Sequence, residues 1–199
     1  MDSKHTLAAL FSMGLKGEKA DAKALAGRLG LKVDEARREI DELAGLGLLS
    51  LRDGSAKLTT KGRRSIKVVF IGGGFELIHY GHVYTIGKAK SLGDVLVVSV
   101  ARDSTIRKRK KREPIVSEED RVTLLSSLRQ VDAAILGVEG DIYVTLERVK
   151  PDIVALGYDQ YHLEDEVRKE SARRGMKLRV VRLDSPYPKI KTSKLLKEF

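Results

Sequence analysis

Beyond residue 65 the chain repeats one pattern: a short run of apolar and β-branched residues, then a stretch with helical spacing. The runs are IKVVFI (66–71), VLVVSV (95–100), AAIL (133–136), DIVAL (152–156) and LRVVRL (178–183). Strands that are apolar at nearly every position are covered on both faces, and helices between them supply the cover. The expected fold is therefore α/β, with a doubly wound, five-stranded parallel sheet in the order 3-2-1-4-5. The helices expected between the strands run from about His82 to Gly93, from the capping box at Ser117 to about Gln130, over Asp141–Val149 and over Glu164–Arg174. A short one, Ser193–Glu198, closes the chain. Sheets of this kind bind ligands at the carboxyl ends of the strands, where the strand order reverses. That point lies between the first and fourth strands of this half. It sets Gly72-Gly73-Gly74 against Gly157-Tyr158-Asp159-Gln160, with the loop ARDSTIRKRKKREP (101–114) on the same edge.

Residues 1–64 follow a different grammar. Helices are expected at about His5–Met13, Asp21–Arg28 and Val33–Leu46, followed by LLSL, the turn Arg52-Asp53-Gly54-Ser55 and AKLTT. Asp-Gly between two short strands signals a hairpin. Three helices and a hairpin resemble a winged helix-turn-helix domain, so the division expected is 1–64 and 65–199. In DNA-binding members of that class the third helix enters the major groove. Here that helix carries Asp34, Glu35, Glu39, Asp41 and Glu42 against only Arg37 and Arg38. A DNA contact and a structural or dimerising role stay open, with the acids favouring the second.

The net charge of +10 suits an anionic partner, a nucleotide, a pyrophosphate or a nucleic acid. It does not single out either half, since residues 1–65 hold 13 Lys+Arg against 9 Asp+Glu and the rest 25 against 19. The absence of cysteine excludes disulfides, thiolate metal sites and cysteine nucleophiles. No apolar run approaches the ~20 residues of a membrane span, and no secretory leader is recognisable at the N-terminus, so a cytoplasmic protein is expected. Asparagine is absent and glutamine occurs only at Gln130 and Gln160, a bias found in thermophile proteins.

The segment GGGFELIHYGH (72–82) fits neither common phosphate loop. Leu77 stands where a dinucleotide fingerprint needs its third glycine, and no Gly-Lys-Ser/Thr follows for a P-loop. A tight strand-to-helix turn would account for the glycines alone, but not for His79 and His82 three residues apart at a helix N-terminus, where anions are favoured. Two imidazoles without a third ligand make an incomplete zinc site, so no protein-bound metal is expected.

HYGH matches the HxGH signature of the nucleotidyltransferase superfamily of cytidylyltransferases and FAD synthases. The resemblance runs on through AKSLGD, ARDSTI, PIVSEEDR, VDAAILG and PDIVALGYDQ to cover 66–199, and is greatest for archaeal-type FAD synthases and glycerol-3-phosphate cytidylyltransferases. It implies transfer of a nucleoside monophosphate from ATP or CTP to a phosphorylated acceptor, with release of pyrophosphate. FMN with ATP is the first expectation, glycerol phosphate or another alcohol phosphate with CTP the second. A DNA-binding regulator with a nucleotide-sensing domain is the reading from another class. Mg2+ is expected to enter with the triphosphate, whose charge needs neutralising, and the dimerising role open to the first domain makes a homodimer the expected assembly.

His79 and His82 are then the catalytic donors to the triphosphate, and Lys110 is the catalytic cation from the run Arg107–Arg112. Gly73, Gly74, Phe75, Gly81, Asp103, Gly157, Asp159 and Gln160 are the expected nucleotide contacts. Arg121 either supports the site or pairs with Glu118. Thr192 and Ser193 either cap the last helix or hold a phosphate. The family's usual GTFD is Gly73-Gly74-Phe75-Glu76 here, so a threonine hydroxyl is missing and the carboxylate is one methylene longer.

Overall fold

The fold is taken from a computed structural model that describes residues 3–158, 160 and 162–187. The chain divides into two compact units, Met1–Lys67 and Val68–Phe199.

In the first unit, α1 (Ser3–Lys16), α2 (Ala22–Leu29) and α3 (Val33–Gly45) precede an antiparallel hairpin of β1 (Leu49–Arg52) and β2 (Ser55–Leu58). The Asp21 side chain caps α2 by accepting from the Ala24 amide at 2.9 Å, and Gly30 ends it with φ +69°. Positive φ at both Asp53 and Gly54 is what a two-residue hairpin turn requires. The core is formed by Leu7, Leu10, Met13, Leu25, Ala36, Ile40 and Leu43. A short helix, α4 (Thr60–Arg64), stands where only the end of the hairpin was expected. It is capped by Thr59 and admits glycine alone at position 62, where a Cβ would lie 2.0 Å from the Leu48 carbonyl oxygen.

In the second unit, β3 (Val68–Gly73), α5 (Tyr80–Lys90), β4 (Val95–Val100), α6 (Asp103–Lys110), α7 (Glu118–Ser126), β5 (Ala133–Leu136), α8 (Ile142–Val149), β6 (Ile153–Leu156), α9 (Glu164–Arg173) and β7 (Arg179–Arg182) follow in order. The sheet runs β5-β4-β3-β6-β7 with every pairing parallel, the expected order. All six residues of β4 are buried, as are Val68–Ile71, so the central strands lie under helices on both faces. Ile86 and Ala89 of α5 and Leu125 of α7 pack on this sheet.

Three boundaries differ from expectation. The helix after β3 begins at Tyr80 rather than His82, with His79, whose backbone is extended, as its N-cap. The basic segment after β4 is not wholly a loop: Asp103–Lys110 is helical, with Asp103 in its first turn and Arg107–Lys110 in its last, as the helix dipole favours. Only Ile106 is buried there, so no apolar period announced it. The helix opened by Ser117 ends at Ser126, short of Gln130. The helix expected over Ser193–Glu198 lies outside the described residues. Among the described residues no helix is long and apolar enough to cross a membrane.

Candidate active site

β3 pairs with β4 along its whole length, from Val68↔Val95 to Gly73↔Val100. Its pairing with β6 stops at Phe70↔Val154. The sheet therefore opens between β3 and β6 at its carboxyl end, where the strand order reverses. Gln160 spans this gap, its side-chain amide donating to the Gly72 carbonyl at 2.5 Å. The neighbouring glycine carbonyls are also engaged: the Ala101 amide donates to Gly73 O (2.9 Å) and Arg121 to Gly74 O (2.6 Å). Each of the three carbonyl oxygens thus accepts at least one hydrogen bond, which pins the turn in place.

Phe75 takes φ +50°, a conformation that stores ~1–3 kcal/mol in a non-glycine residue. Its ring turns back under Gly73, where a Cβ would meet it at 2.8 Å, and joins the core. Phe75 thus packs against the turn and anchors it to the core. His79 caps α5, and its carbonyl accepts from the amides of His82 (2.9 Å) and Val83 (3.2 Å). This winding stacks the two imidazoles, with centroids 3.8 Å apart and planes inclined by 26°. Phe75 tilts against His82 at 5.4 Å. Gly81 is buried between the histidines, its carbonyl accepting from Thr85 Oγ1 at 3.0 Å. The two imidazoles and the N-terminus of α5 thus share one place, where the helix dipole favours an anion.

The opposite lip is held from below by Arg182. Its guanidinium donates to the carbonyls of Gly157 (2.9 Å), Gln160 (3.1 Å) and His162 (2.6 Å) and pairs with Glu164 at 2.6 Å. Hydrogen bonds from Arg182 hold the Glu164 carboxyl down to about 2.

Two further charge clusters brace the basic side. Arg121 is fully buried and donates to the carbonyls of Gly74, Ala101 (2.9 Å) and Val116 (3.0 Å) and to the Asp103 carboxylate. It does not pair with Glu118, which instead binds Arg102 (2.6 Å) and accepts from the Asp103 amide (2.7 Å). Burial pushes the Glu118 carboxyl up, but the Asp103 amide and Arg102 outweigh it and lower the value. Arg121 is thus a strut between the ends of β3 and β4, and Asp103 is its counter-charge. The second cluster is Glu76, whose enclosed carboxylate receives Lys110, Arg112 (2.7 and 3.0 Å) and the Ile115 amide (3.3 Å). Burial would raise its pKa, yet the donors Arg112 and Lys110 and the Lys110 charge hold it at about 2.

Of the residues expected from sequence, His79, His82, Gly73, Gly74 and Gly81 share one lip, and Gly157 and Gln160 form the other. Lys110 is drawn in by Glu76. Asp159, Thr192 and Ser193 lie outside the described residues. Sequence reasoning named Glu76 only as a departure from the family turn, chose Lys110 rather than Arg112 from the run Arg107–Arg112, and did not single out Arg182. The available signal was a lone carboxylate in the apolar stretch Gly74–Ile78.

The cytidylyltransferase-like family model matches residues 70–198. The chain belongs to the cytidylyltransferase-like family. Its members' HxGH turn is the stacked pair described above, and the protein is a nucleotidyltransferase. Curated relatives include the FAD synthase of Aciduliprofundum boonei, 49% identical over 58% of this chain and 76% of that protein. The FAD synthase of Methanothermus fervidus is 46% identical over 63% of this chain and 90% of its own length. Among solved structures, a Thermoplasma volcanium protein described as a lipopolysaccharide core biosynthesis protein is 43% identical, with a TM-score of 0.59 over 60% of this chain and 98% of its own. The cytidylyltransferase-like similarity begins within β3, so the first unit lies outside it.

Proposed function

We propose that this nucleotidyltransferase is an FAD synthase, joining FMN to the adenylyl group of ATP. The opening of the sheet between β3 and β6, with the His79–His82 stack on one lip and Gln160 bridging to the other, carries the reading. The similarity to FAD synthases at 46–49% identity supports FMN as acceptor. So does Tyr80, which is 58% exposed on the first turn of α5 beside His79, in a T-shaped contact with Tyr187 whose ring centroid lies 4.7 Å away. Such an aromatic face suits a fused ring better than glycerol phosphate.

In the reaction an FMN phosphate oxygen attacks the α-phosphorus of ATP. The bond to the bridging oxygen of the β-phosphate breaks, and pyrophosphate leaves with the electron pair. His79, His82 and the α5 amides donate to the non-bridging oxygens as charge builds, and the rest of the catalysis is alignment. Among the described residues no three His, Asp or Glu converge as a metal cage. Mg2+ would enter with the triphosphate and neutralise it.

Pyrophosphate release, measured with each NTP against FMN and against glycerol phosphate, tests the reading. Release with ATP and FMN, with FAD as co-product, is expected. Release only with CTP and an alcohol phosphate would transfer the protein to the cytidylyltransferases, and none with any pair would refute the reading.

The first unit is read as a winged-helix-like domain, comprising residues 1–64, that joins two copies of a cytoplasmic enzyme. On α3 the acids Asp34, Asp41 and Glu42 are exposed, which disfavours a polyanion on that face. A dimer by light scattering and no salt-resistant gel shift are expected. A monomer that binds one DNA sequence specifically would overturn this.

A further inference from the structure

We propose that Glu76 is a positioning residue for nucleotidyl transfer, acting through Lys110 and Arg112. The inference rests on the crevice being the NTP site. The Glu76 side chain is completely enclosed, whereas those of Lys110 and Arg112 remain 40% and 34% exposed. Each cation is thus anchored at the carboxylate and open on its other side. An ammonium carries three N–H groups and a guanidinium five. Glu76 takes one from Lys110 and two from Arg112, and the Glu113 carbonyl accepts from Arg112 at 2.7 Å. N–H groups on both cations are left for an anion. Two cations against one carboxylate also leave the cluster positive, as a phosphate chain requires.

A buried ion pair is a poor source of stability, because desolvation offsets most of its attraction. What it supplies here is a fixed place for mobile side chains. Residues 107–112 hold six consecutive cations that repel one another and, on a free segment, would spread into solvent. Glu76 draws two of them to a point three residues from His79, and the Ile115 amide closes the segment from the other end. An aspartate would set the carboxylate back by about one C–C bond, ~1.5 Å, so it could satisfy only part of this set.

Two measurements on Glu76→Gln and Glu76→Asp test the role. Limited trypsin digestion, mapped by mass spectrometry, reads the anchoring without reference to activity. Cleavage within 107–113 should be slow in the unsubstituted protein and about tenfold faster in Glu76→Gln. Steady-state kinetics read the positioning. At saturating substrates kcat should fall about tenfold or more in Glu76→Gln, with the NTP KM within about threefold, and Glu76→Asp should recover part of the loss. Unchanged trypsin rates in both variants would overturn the proposal. An unchanged or raised kcat in Glu76→Gln would also do so, since the carboxylate would then merely compete with phosphate for the cations. Equal losses of kcat and melting temperature in both variants would leave only a structural role. If the unsubstituted protein released no pyrophosphate with any pair, nucleotidyl transfer itself would be refuted and the catalytic part of this proposal with it; the trypsin result bears on Glu76 alone.

Discussion

Replacing Arg121 by Met separates a strut from a nucleotide contact. The guanidinium is fully buried, and its removal strips donors from three carbonyls, Gly74, Ala101 and Val116, and leaves the Asp103 carboxylate without its partner. A buried polar group left unsatisfied costs ~1–3 kcal/mol, and breaking one side of a buried charge pair ~3–5 kcal/mol. Met fills most of the volume, and Asp103, whose side chain is 20% exposed, recovers some hydration. A net loss of about 4–6 kcal/mol follows, a large part of the ~5–15 kcal/mol that holds a domain together. For a unit of this size each kcal/mol moves the midpoint by about 3–4 °C, so melting should drop by roughly 12–24 °C. Differential scanning calorimetry measures this directly. Arg121→Lys keeps one charge for Asp103 but lacks the fork that reaches the carbonyls, and should fall between. If Arg121→Met melted within about 3 °C of the unsubstituted protein yet no longer bound ATP, the strut argument would fail.

Three further outcomes are expected. His82→Ala should lower kcat by ~10²–10³ with little change in melting, read by FAD formation; normal turnover would remove the histidine pair from the mechanism. Glu76 has its folded pKa lowered from an ordinary 4.5 to about 2, so its stabilisation is complete above 4.5 and is lost as the pH falls through 2. The full amount is about 3 kcal/mol, of which ~2 kcal/mol is gone by pH 3. Urea midpoints compared at pH 6 and pH 3 should fall less in Glu76→Gln, and parallel lines would contradict the assignment. Gln160→Ala removes the donor to the Gly72 carbonyl and exposes that oxygen to the crevice. The NTP KM should then rise by up to about tenfold, the equivalent of ~0.5–1.5 kcal/mol, and an unchanged KM would separate Gln160 from nucleotide binding.

The legible parts of this chain are those written in local pattern. Five apolar runs announced a parallel sheet because a strand buried on both faces has no polar alternation to disguise it, and β4 is the clearest case. The strand order then placed the glycine turn against Gly157 and Gln160 before any contact was known. The α6 helix was not legible, because a single buried residue, Ile106, has no period. The histidine pair was legible as a pair, but its stacking depends on His79 being the cap rather than part of the preceding loop.

What escaped was the bracing. Arg121 reaches Gly74 across 47 residues of sequence, and Arg112 reaches Glu76 across 36. Most partners of Arg121 and Arg182 are main-chain carbonyls, which carry no residue identity for a sequence to display. A lone charge in an apolar stretch is therefore the readable trace of such a brace: the partner is invisible, but burial of that charge demands one. Glu76, enclosed between Phe75 and Leu77, meets this description. Its place in the family's turn marks it as a departure, and its contacts give that departure a physical content. The Glu76 carboxylate holds two cations at once, which ties the altered residue of the turn to the basic run at 107–112.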